Sequence, residues 1–156
     1  MRARVEPVTP DRVQLLLPLW QENMAFHARL VSFFKPVPAG KKAWEGHLLT
    51  SLACGDGMAF AAWSEESMVG FITGQVQTVA PILTPRRVGH IADLFVREPY
   101  RRHGLGRLLF FSLRDWFGTK GVEALDINVY LANGEALAFW RGVGFAPYAE
   151  RMRAEI

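Results

Sequence analysis

The chain of 156 residues has one cysteine, Cys54, and no long apolar run. A single cysteine excludes a disulfide within the chain, and its place at the end of a predicted helix favours a small buried side chain over a nucleophile. A membrane-spanning helix needs about 20 consecutive apolar residues, so we expect no membrane contact. The first residues lack the apolar core of a signal peptide, and we therefore expect a cytoplasmic protein.

The sequence also has no internal repeats and no low-complexity linkers. Its length favours a single domain that spans residues 1–156. Half of the residues are apolar, which is typical of a globular chain and not of a disordered one. The formal net charge is only +3. Because there is no basic helix and no nucleic-acid-binding motif, nucleic acid is not an expected partner.

The most informative stretch is a predicted strand, residues 91–96, followed by a glycine-rich loop and a helix. Pro99 ends the strand because it has no N–H for a ladder. Gly104 and Gly106 let backbone amides approach a ligand closely, and the helix N-terminus directs unpaired N–H groups and its positive dipole end at the same place. The loop therefore predicts an anion site. Its basic side chains are Arg101, Arg102, His103 and Arg107.

Two common phosphate-binding motifs are absent from this loop. No Gly-Lys-Ser/Thr follows, so it is not a Walker loop, and the third glycine of the dinucleotide fingerprint is missing. A nucleotide-binding oxidoreductase and a nucleic-acid-binding module remain alternatives. A plain strand-to-helix turn with solvated arginines is a further one.

Two sequence blocks carry a resemblance to a known family. The segment Asp93-Leu94-Phe95-Val96-x-x-Pro99-Tyr100-Arg101-x-x-Gly104-x-Gly106 resembles the acyl-CoA motif of the GCN5-related N-acetyltransferases. The segment Asn133-x-x-Ala136-Leu137-x-Phe139-Trp140-Arg141-x-Val143-Gly144-Phe145 is similar to the family's Asn-x-x-Ala-x-x-x-Tyr-x-x-x-Gly-Phe, with Trp140 in place of the tyrosine. The similarity is strongest over residues 57–147 and weakest over residues 11–55.

Element order and resemblance together predict an α/β fold with a mixed, mostly antiparallel central sheet of six to seven strands, flanked by about four helices. This is the acyl-CoA N-acyltransferase fold. The predicted strands are residues 2–8, 58–63, 68–79, 91–96 and 122–131 and a last one after Phe145. A four-residue loop, 64–67, joins the second and third strands. The predicted helices begin at Thr9 (with a kink at Pro18), at residue 39, after Gly104 and at Asn133.

The resemblance implies an acetyl-CoA-dependent N-acetyltransferase that moves an acetyl group to a primary amine by direct attack in a ternary complex. The short chain favours a small-molecule amine. Backbone amides of the predicted strand would form hydrogen bonds with the thioester and with pantetheine. The glycine-rich loop would bind the pyrophosphate. The cofactor-binding residues so implied are Leu94, Phe95, Val96, Arg101, Arg102, His103, Gly104, Leu105, Gly106, Arg107, Asn133, Phe139 and Trp140.

The reaction needs a proton acceptor, because a free alkylamine has a pKa near ~10.4. Asp93 is the first candidate for the base, acting directly or through a water. Tryptophan cannot give up its indole proton near neutral pH. Either no acid is needed, because a thiol is already a fair leaving group, or the acid is water, Tyr130 or Tyr148, of which we name Tyr148. The candidate acceptor-binding residues are Glu22, Phe26, His27 and Phe33.

Some properties stay open at this stage. Because the family's tyrosine is missing, a second hypothesis remains: a sensor with the same fold that binds acyl-CoA and does not turn it over. Relatives in the family are often dimers, so a homodimer is possible, although no feature of the sequence fixes the oligomeric state. No metal is expected at the site.

Overall fold

A computed structural model describes residues 2–156, and Met1 lies outside the described residues. The strands within that range are β1 (Ala3–Pro7), β2 (Gly57–Ser64), β3 (Ser67–Thr78), β4 (Arg87–Val96) and β5 (Ala124–Ile127). The helices are α1 (Leu17–Leu30), α2 (Gly40–Cys54), α3 (Leu105–Thr119) and α4 (Gly134–Gly142). Two 3-10 helices cover Pro10–Leu16 and Glu98–Tyr100.

The five strands form one sheet in the order β1-β2-β3-β4-β5. The first four are antiparallel to their neighbours, and β5 is parallel to β4, with α3 as the crossover between them. One core cluster joins the sheet to α1 and α2, and a second joins it to α3 and α4. The mixed, mostly antiparallel α/β fold with four α-helices is thereby confirmed.

The predicted count of six to seven strands is wrong, because residues 2–156 contain five. The strand expected after Phe145 does not form, and residues 146–156 have no regular structure. Pro147 removes a donor, and the charged side chains that follow give no alternating apolar face. The strand predicted over residues 122–131 is confined to Ala124–Ile127.

The β2–β3 hairpin also differs from its prediction. Ser64 pairs directly with Ser67, so the loop has two residues and not four. Glu65 adopts a positive φ of 54°, which a tight two-residue turn requires of its first residue.

Two details of the helices depart from expectation. The chain after Thr9 forms a 3-10 helix first, and Pro18 falls in the first turn of α1, where its missing N–H leaves no hydrogen bond unmade. Cys54 at the end of α2 is exposed and not buried.

A bulge in β4 positions the side chains of the site. Thr73 of β3 pairs with Asp93, whereas the next residue, Gly74, pairs with Ile91, so Ala92 is an extra residue. Because side chains alternate along a strand, the bulge brings Asp93 to the same face as His90. That face looks toward α1 and α2.

Candidate active site

The carboxyl group of Asp93 lies on the sheet between two hydrogen-bond donors. Its Oδ2 accepts from the indole N–H of Trp44 at 3.1 Å and from the hydroxyl of Thr73 at 2.8 Å. Burial raises the pKa of Asp93, and these two bonds and the charges of His27 and His90 oppose that rise. Within residues 2–156 no buried side-chain N or O atom lacks a partner. Oδ1 has no hydrogen-bond partner in this range, so it is not fully buried.

Further polar side chains lie on the same face of the sheet. Gln75 of β3 pairs in register with His90 of β4, which pairs with Asp126 of β5. Burial lowers the pKa of His90, against the effect of Asp126 and Asp93. From α2, the Nε2 atom of His47 lies 2.9 Å from the amide oxygen of Gln75. Together these side chains form a continuous polar surface on the sheet beside Asp93, called the polar floor below: His47, Gln75, His90 and Asp126.

His27 on α1 has a defined tautomer. Its Nδ1 lies 2.9 Å from the carbonyl oxygen of Asn23, an acceptor only, so this nitrogen carries a proton and donates it. In the neutral ring Nε2 is then left as a proton acceptor. The ring packs against Phe34 and Tyr130, with centroids 5.6 and 5.7 Å away.

The glycine-rich loop, which the sequence predicts to bind an anion, lies at the N-terminus of α3. Gly104 precedes the helix with a φ of 82°, and Leu108 donates to its carbonyl oxygen at 3.0 Å. In the described part of the chain the amides of residues 105–107 have no backbone acceptor. A Cβ on Gly106 would lie 3.2 Å from the ring of Phe139, so a larger residue would press α3 away from α4.

The arginines of the loop are not equivalent. Arg101 donates from Nε to the carbonyl oxygen of Val96 at 2.7 Å, and its Nη1 lies 3.5 Å from Glu135 on α4. Its guanidinium is therefore engaged within the protein. Arg102 and Arg107 are exposed, and Arg102 has a positive φ of 65°, which costs energy for a residue with a Cβ. The guanidinium of Arg107 lies 5.7 Å from the ring centroid of Phe111.

The residues predicted from the second sequence block lie in the core or cap a helix. Trp140 is only 5% exposed and packs edge-on against Phe110, Phe139 and Phe145. Asn133 caps α4, because its Oδ1 accepts from the amide of Ala136 at 3.1 Å. Their contribution to cofactor binding stays a prediction.

The other candidates occupy separate places. Tyr148 is 82% exposed within the irregular residues 146–156, so the structure leaves it outside the cluster around Asp93. Glu22 is paired with Arg97, at 2.6 Å between Oε1 and Nη2, and this hydrogen bond raises the pKa of Arg97. Phe26 lies under the guanidinium of Arg101, with 5.4 Å to the ring centroid. Glu22 and Phe26 thus have partners within the protein, and their role in binding the acceptor stays a prediction.

The sequence analysis missed Trp44, Thr73 and His90, which lie around Asp93, and it missed Asp126, which pairs with His90. Thr73 is a polar residue inside an apolar strand, and that pattern was available as a signal. Nothing in the sequence placed Trp44, which is 49 residues away from Asp93 in the chain.

Fold and site together define a class: a mixed sheet whose bulged fourth strand presents a buried carboxyl group and leads into a glycine-rich anion loop. That is the architecture of the acyl-CoA N-acyltransferases. The sequence model of the acetyltransferase (GNAT) family matches residues 24–145, and the chain belongs to this family.

Known relatives agree with this assignment. The chain is 31% identical over 71 residues to a glucosamine 6-phosphate N-acetyltransferase of Trypanosoma brucei brucei, a match that covers 46% of each chain. It is similar in structure to AAC(6')-Iy, solved with the bisubstrate analogue CoA-S-monomethyl-acetylneamine (TM-score 0.79, 13% identity, 100% and 99% covered). A GCN5-related N-acetyltransferase of Ralstonia eutropha JMP134 has a TM-score of 0.79 at 16% identity, with 99% of both chains covered. At these identities the structural likeness concerns the fold.

No helix among residues 2–156 is both long enough and apolar enough to cross a membrane.

Proposed function

We propose that this protein is an acetyl-CoA-dependent N-acetyltransferase that acetylates a primary amine of a small molecule by direct attack in a ternary complex. The observation that carries the proposal is the carboxyl group of Asp93, with one oxygen held by Trp44 and Thr73 and the other free. It lies one residue before the strand segment 94–96, which ends near the anion loop.

The loop suits the phosphates of coenzyme A. The unpaired amides of residues 105–107 supply donors at a helix N-terminus, and the exposed Arg102 and Arg107 add positive charge. Backbone groups of residues 94–96 would hold pantetheine. Bound there, acetyl-CoA supplies an activated acetyl group as a thioester.

Asp93 is proposed as the base. An alkylammonium ion has a pKa near ~10.4 and cannot attack until it loses a proton. The free Oδ1 takes this proton directly or through one water, and the raised pKa of the buried carboxyl makes it a better acceptor than an exposed one. The amine nitrogen then forms the new C–N bond while the C–S bond breaks. The Nε2 atom of His27 is a second acceptor for the proton.

No protein acid is needed for the departing sulfur. A thiol has a pKa near ~8.5, so the thiolate is a fair leaving group and takes its proton from solvent. Trp140 is buried in the core, and Tyr148 is exposed in the C-terminal segment. Both locations support a mechanism without a general acid. Of the tyrosines considered, Tyr130 is the one that contacts His27.

The test is release of free thiol from acetyl-CoA with a panel of primary amines. We expect turnover with at least one amine, and a loss of about 100- to 10,000-fold in Asp93→Asn. Asp115→Asn is the matched control, because that carboxyl group lies exposed on α3 beside Arg114. Tight binding of acetyl-CoA with no thiol release by any amine would instead identify the non-catalytic sensor.

A further inference from the structure

The polar floor extends beyond Asp93 to a second carboxyl group. Asp126 pairs with His90 in the parallel β4–β5 ladder, so both side chains point to the α1–α2 face. The neighbouring Leu125 points the other way, because its Cδ2 would lie 2.6 Å from a Cβ on Gly89 over α3. Asp126 and His90 are half-buried, and neither makes a side-chain hydrogen bond in the described part of the chain.

Within residues 2–156, neither Asp93 nor Asp126 forms an ion pair with a lysine or an arginine. The side chains on or beside the polar floor include Trp44, His47, Thr73, Gln75 and His27. Arginines at its edge are already engaged, Arg97 with Glu22 and Arg101 with Glu135. Burial lowers the pKa of His90, and the nearby carboxyl groups of Asp126 and Asp93 oppose that change. Two carboxyl groups on one face of the sheet are therefore left without an ion-pair partner among the described residues.

An aromatic wall borders the floor beside α1. Tyr130 contacts His27, Phe33 and Phe34 with centroid distances of 5.7, 6.2 and 5.9 Å. The guanidinium of Arg153, from the irregular C-terminal segment, lies 4.7 Å from the centroid of Phe33. Arg153 therefore makes a cation–π contact with one ring of this aromatic cluster, as expected for a cation over the face of an aromatic ring.

We infer that the acceptor is a diamine, with the reacting nitrogen at Asp93 and a second ammonium group at Asp126. This inference rests on the proposed function and narrows it. From the strand spacing and the rise per residue, the two carboxylate-bearing Cα atoms are roughly 8 Å apart. A short aliphatic spacer between two amines bridges that distance. An amine that carries a phosphate meets two carboxylates and is disfavoured.

The experiment compares acceptors that differ in one group. Thiol release is measured with 1,4-diaminobutane against butylamine, and with glucosamine against glucosamine 6-phosphate. We expect 1,4-diaminobutane to have at least a tenfold higher kcat/KM than butylamine, and the phosphate to lower kcat/KM. Asp126→Asn should raise KM for the diamine about tenfold, as for a lost charge-assisted bond, and this rise should exceed any change in KM for butylamine. Glu123→Gln, an exposed change next to β5, is the control.

Two results would overturn the diamine assignment while leaving the acetyltransferase intact. One is equal kcat/KM for butylamine and 1,4-diaminobutane in the native chain. The other is a preference for glucosamine 6-phosphate, which would make Arg153 a phosphate ligand. If no amine releases thiol, the proposed function fails. In that case, calorimetry measures the binding of 1,4-diaminobutane and of butylamine to the CoA-bound protein. Tighter binding of the diamine that is lost in Asp126→Asn would support the diamine site, and the absence of such binding would overturn it.

Discussion

At the scale of single residues, Asp93 combines burial with partial hydrogen-bond satisfaction. Two donors hold Oδ2, and Oδ1 is left for a ligand. The donors stabilise the ionised form, whereas burial destabilises it, and burial is the larger effect. Burial of this carboxyl group lowers the stability of the fold, but it also raises the pKa of the group and so makes it a better proton acceptor.

The hydrogen bond from Trp44 should set the acidic limb of the pH–rate profile. Trp44→Phe removes the donor to Oδ2, so the pKa of Asp93 rises further and the limb of kcat/KM moves to higher pH. Trp20→Phe is the matched control, because Trp20 stacks on Trp44 at 5.5 Å without touching Asp93. An unmoved limb in Trp44→Phe would show that another group titrates.

The same residue gives a prediction for stability. Because the folded pKa of Asp93 is raised, the unfolded carboxyl group ionises first, and the native state loses stability as pH rises from ~4 through the folded pKa. Asp93→Asn keeps an acceptor for Thr73 and Trp44 and carries no charge. We expect a higher urea midpoint than the native chain at pH 7 and a difference that shrinks toward pH 4. A lower midpoint at pH 7 would contradict this account.

At the scale of elements, α3 packs directly on the backbone of the sheet. A Cβ on Gly89 of β4 would meet Leu125 at 2.6 Å and Phe117 at 2.8 Å, and one on Gly74 would meet Leu113 and Phe117 at 2.9 Å. These two glycines therefore set how closely α3 approaches β3 and β4. That approach in turn fixes where the helix N-terminus lies relative to residues 94–96.

Gly89→Ala should overpack this interface. We expect a loss of about 1–3 kcal/mol in the free energy of unfolding, measured by urea denaturation. Gly118→Ala on α3 is the control, since nothing lies within 4 Å of its Cβ and alanine is preferred inside a helix, with a gain of up to about 1 kcal/mol. Equal effects of the two substitutions would mean that α3 does not pack as described.

At the scale of the whole molecule, the sheet separates two chemistries. The face toward α1 and α2 carries Asp93, His90 and Asp126, whereas the face toward α3 and α4 buries Trp140. The anion loop lies where β4 ends and α3 begins. The proposed cofactor and acceptor sites therefore lie at the same strand and use different side chains.

Acetyl-CoA should stabilise the whole fold. At about 100 times its Kd, a ligand that binds only the native state adds about 2.7 kcal/mol, or roughly 5–10 °C in Tm for a chain of this size. Differential scanning fluorimetry with acetyl-CoA, CoA, NADH and ATP tests this, and we expect a shift with the first two only. A shift with NADH alone would favour the nucleotide-binding oxidoreductase.

The sequence by itself determined the features that few neighbouring residues encode. Pro99, Gly104 and Gly106 act through backbone geometry, so the strand, the anion loop and the start of α3 were predictable from them. The family followed from the same blocks and is confirmed. The mixed, mostly antiparallel α/β fold was predictable as well, because hydrophobic periodicity is a local property.

Only the tertiary structure decided which distant side chains meet. The bulge at Ala92 depends on the register with β3, and without it Asp93 would face away from His90. Thr73 and Trp44 come from 20 and 49 residues away to hold one carboxyl oxygen. The burial of Trp140 and the unpaired C-terminal segment likewise depend on packing. Contacts of this kind are set by how elements fill the core, and no local pattern records them.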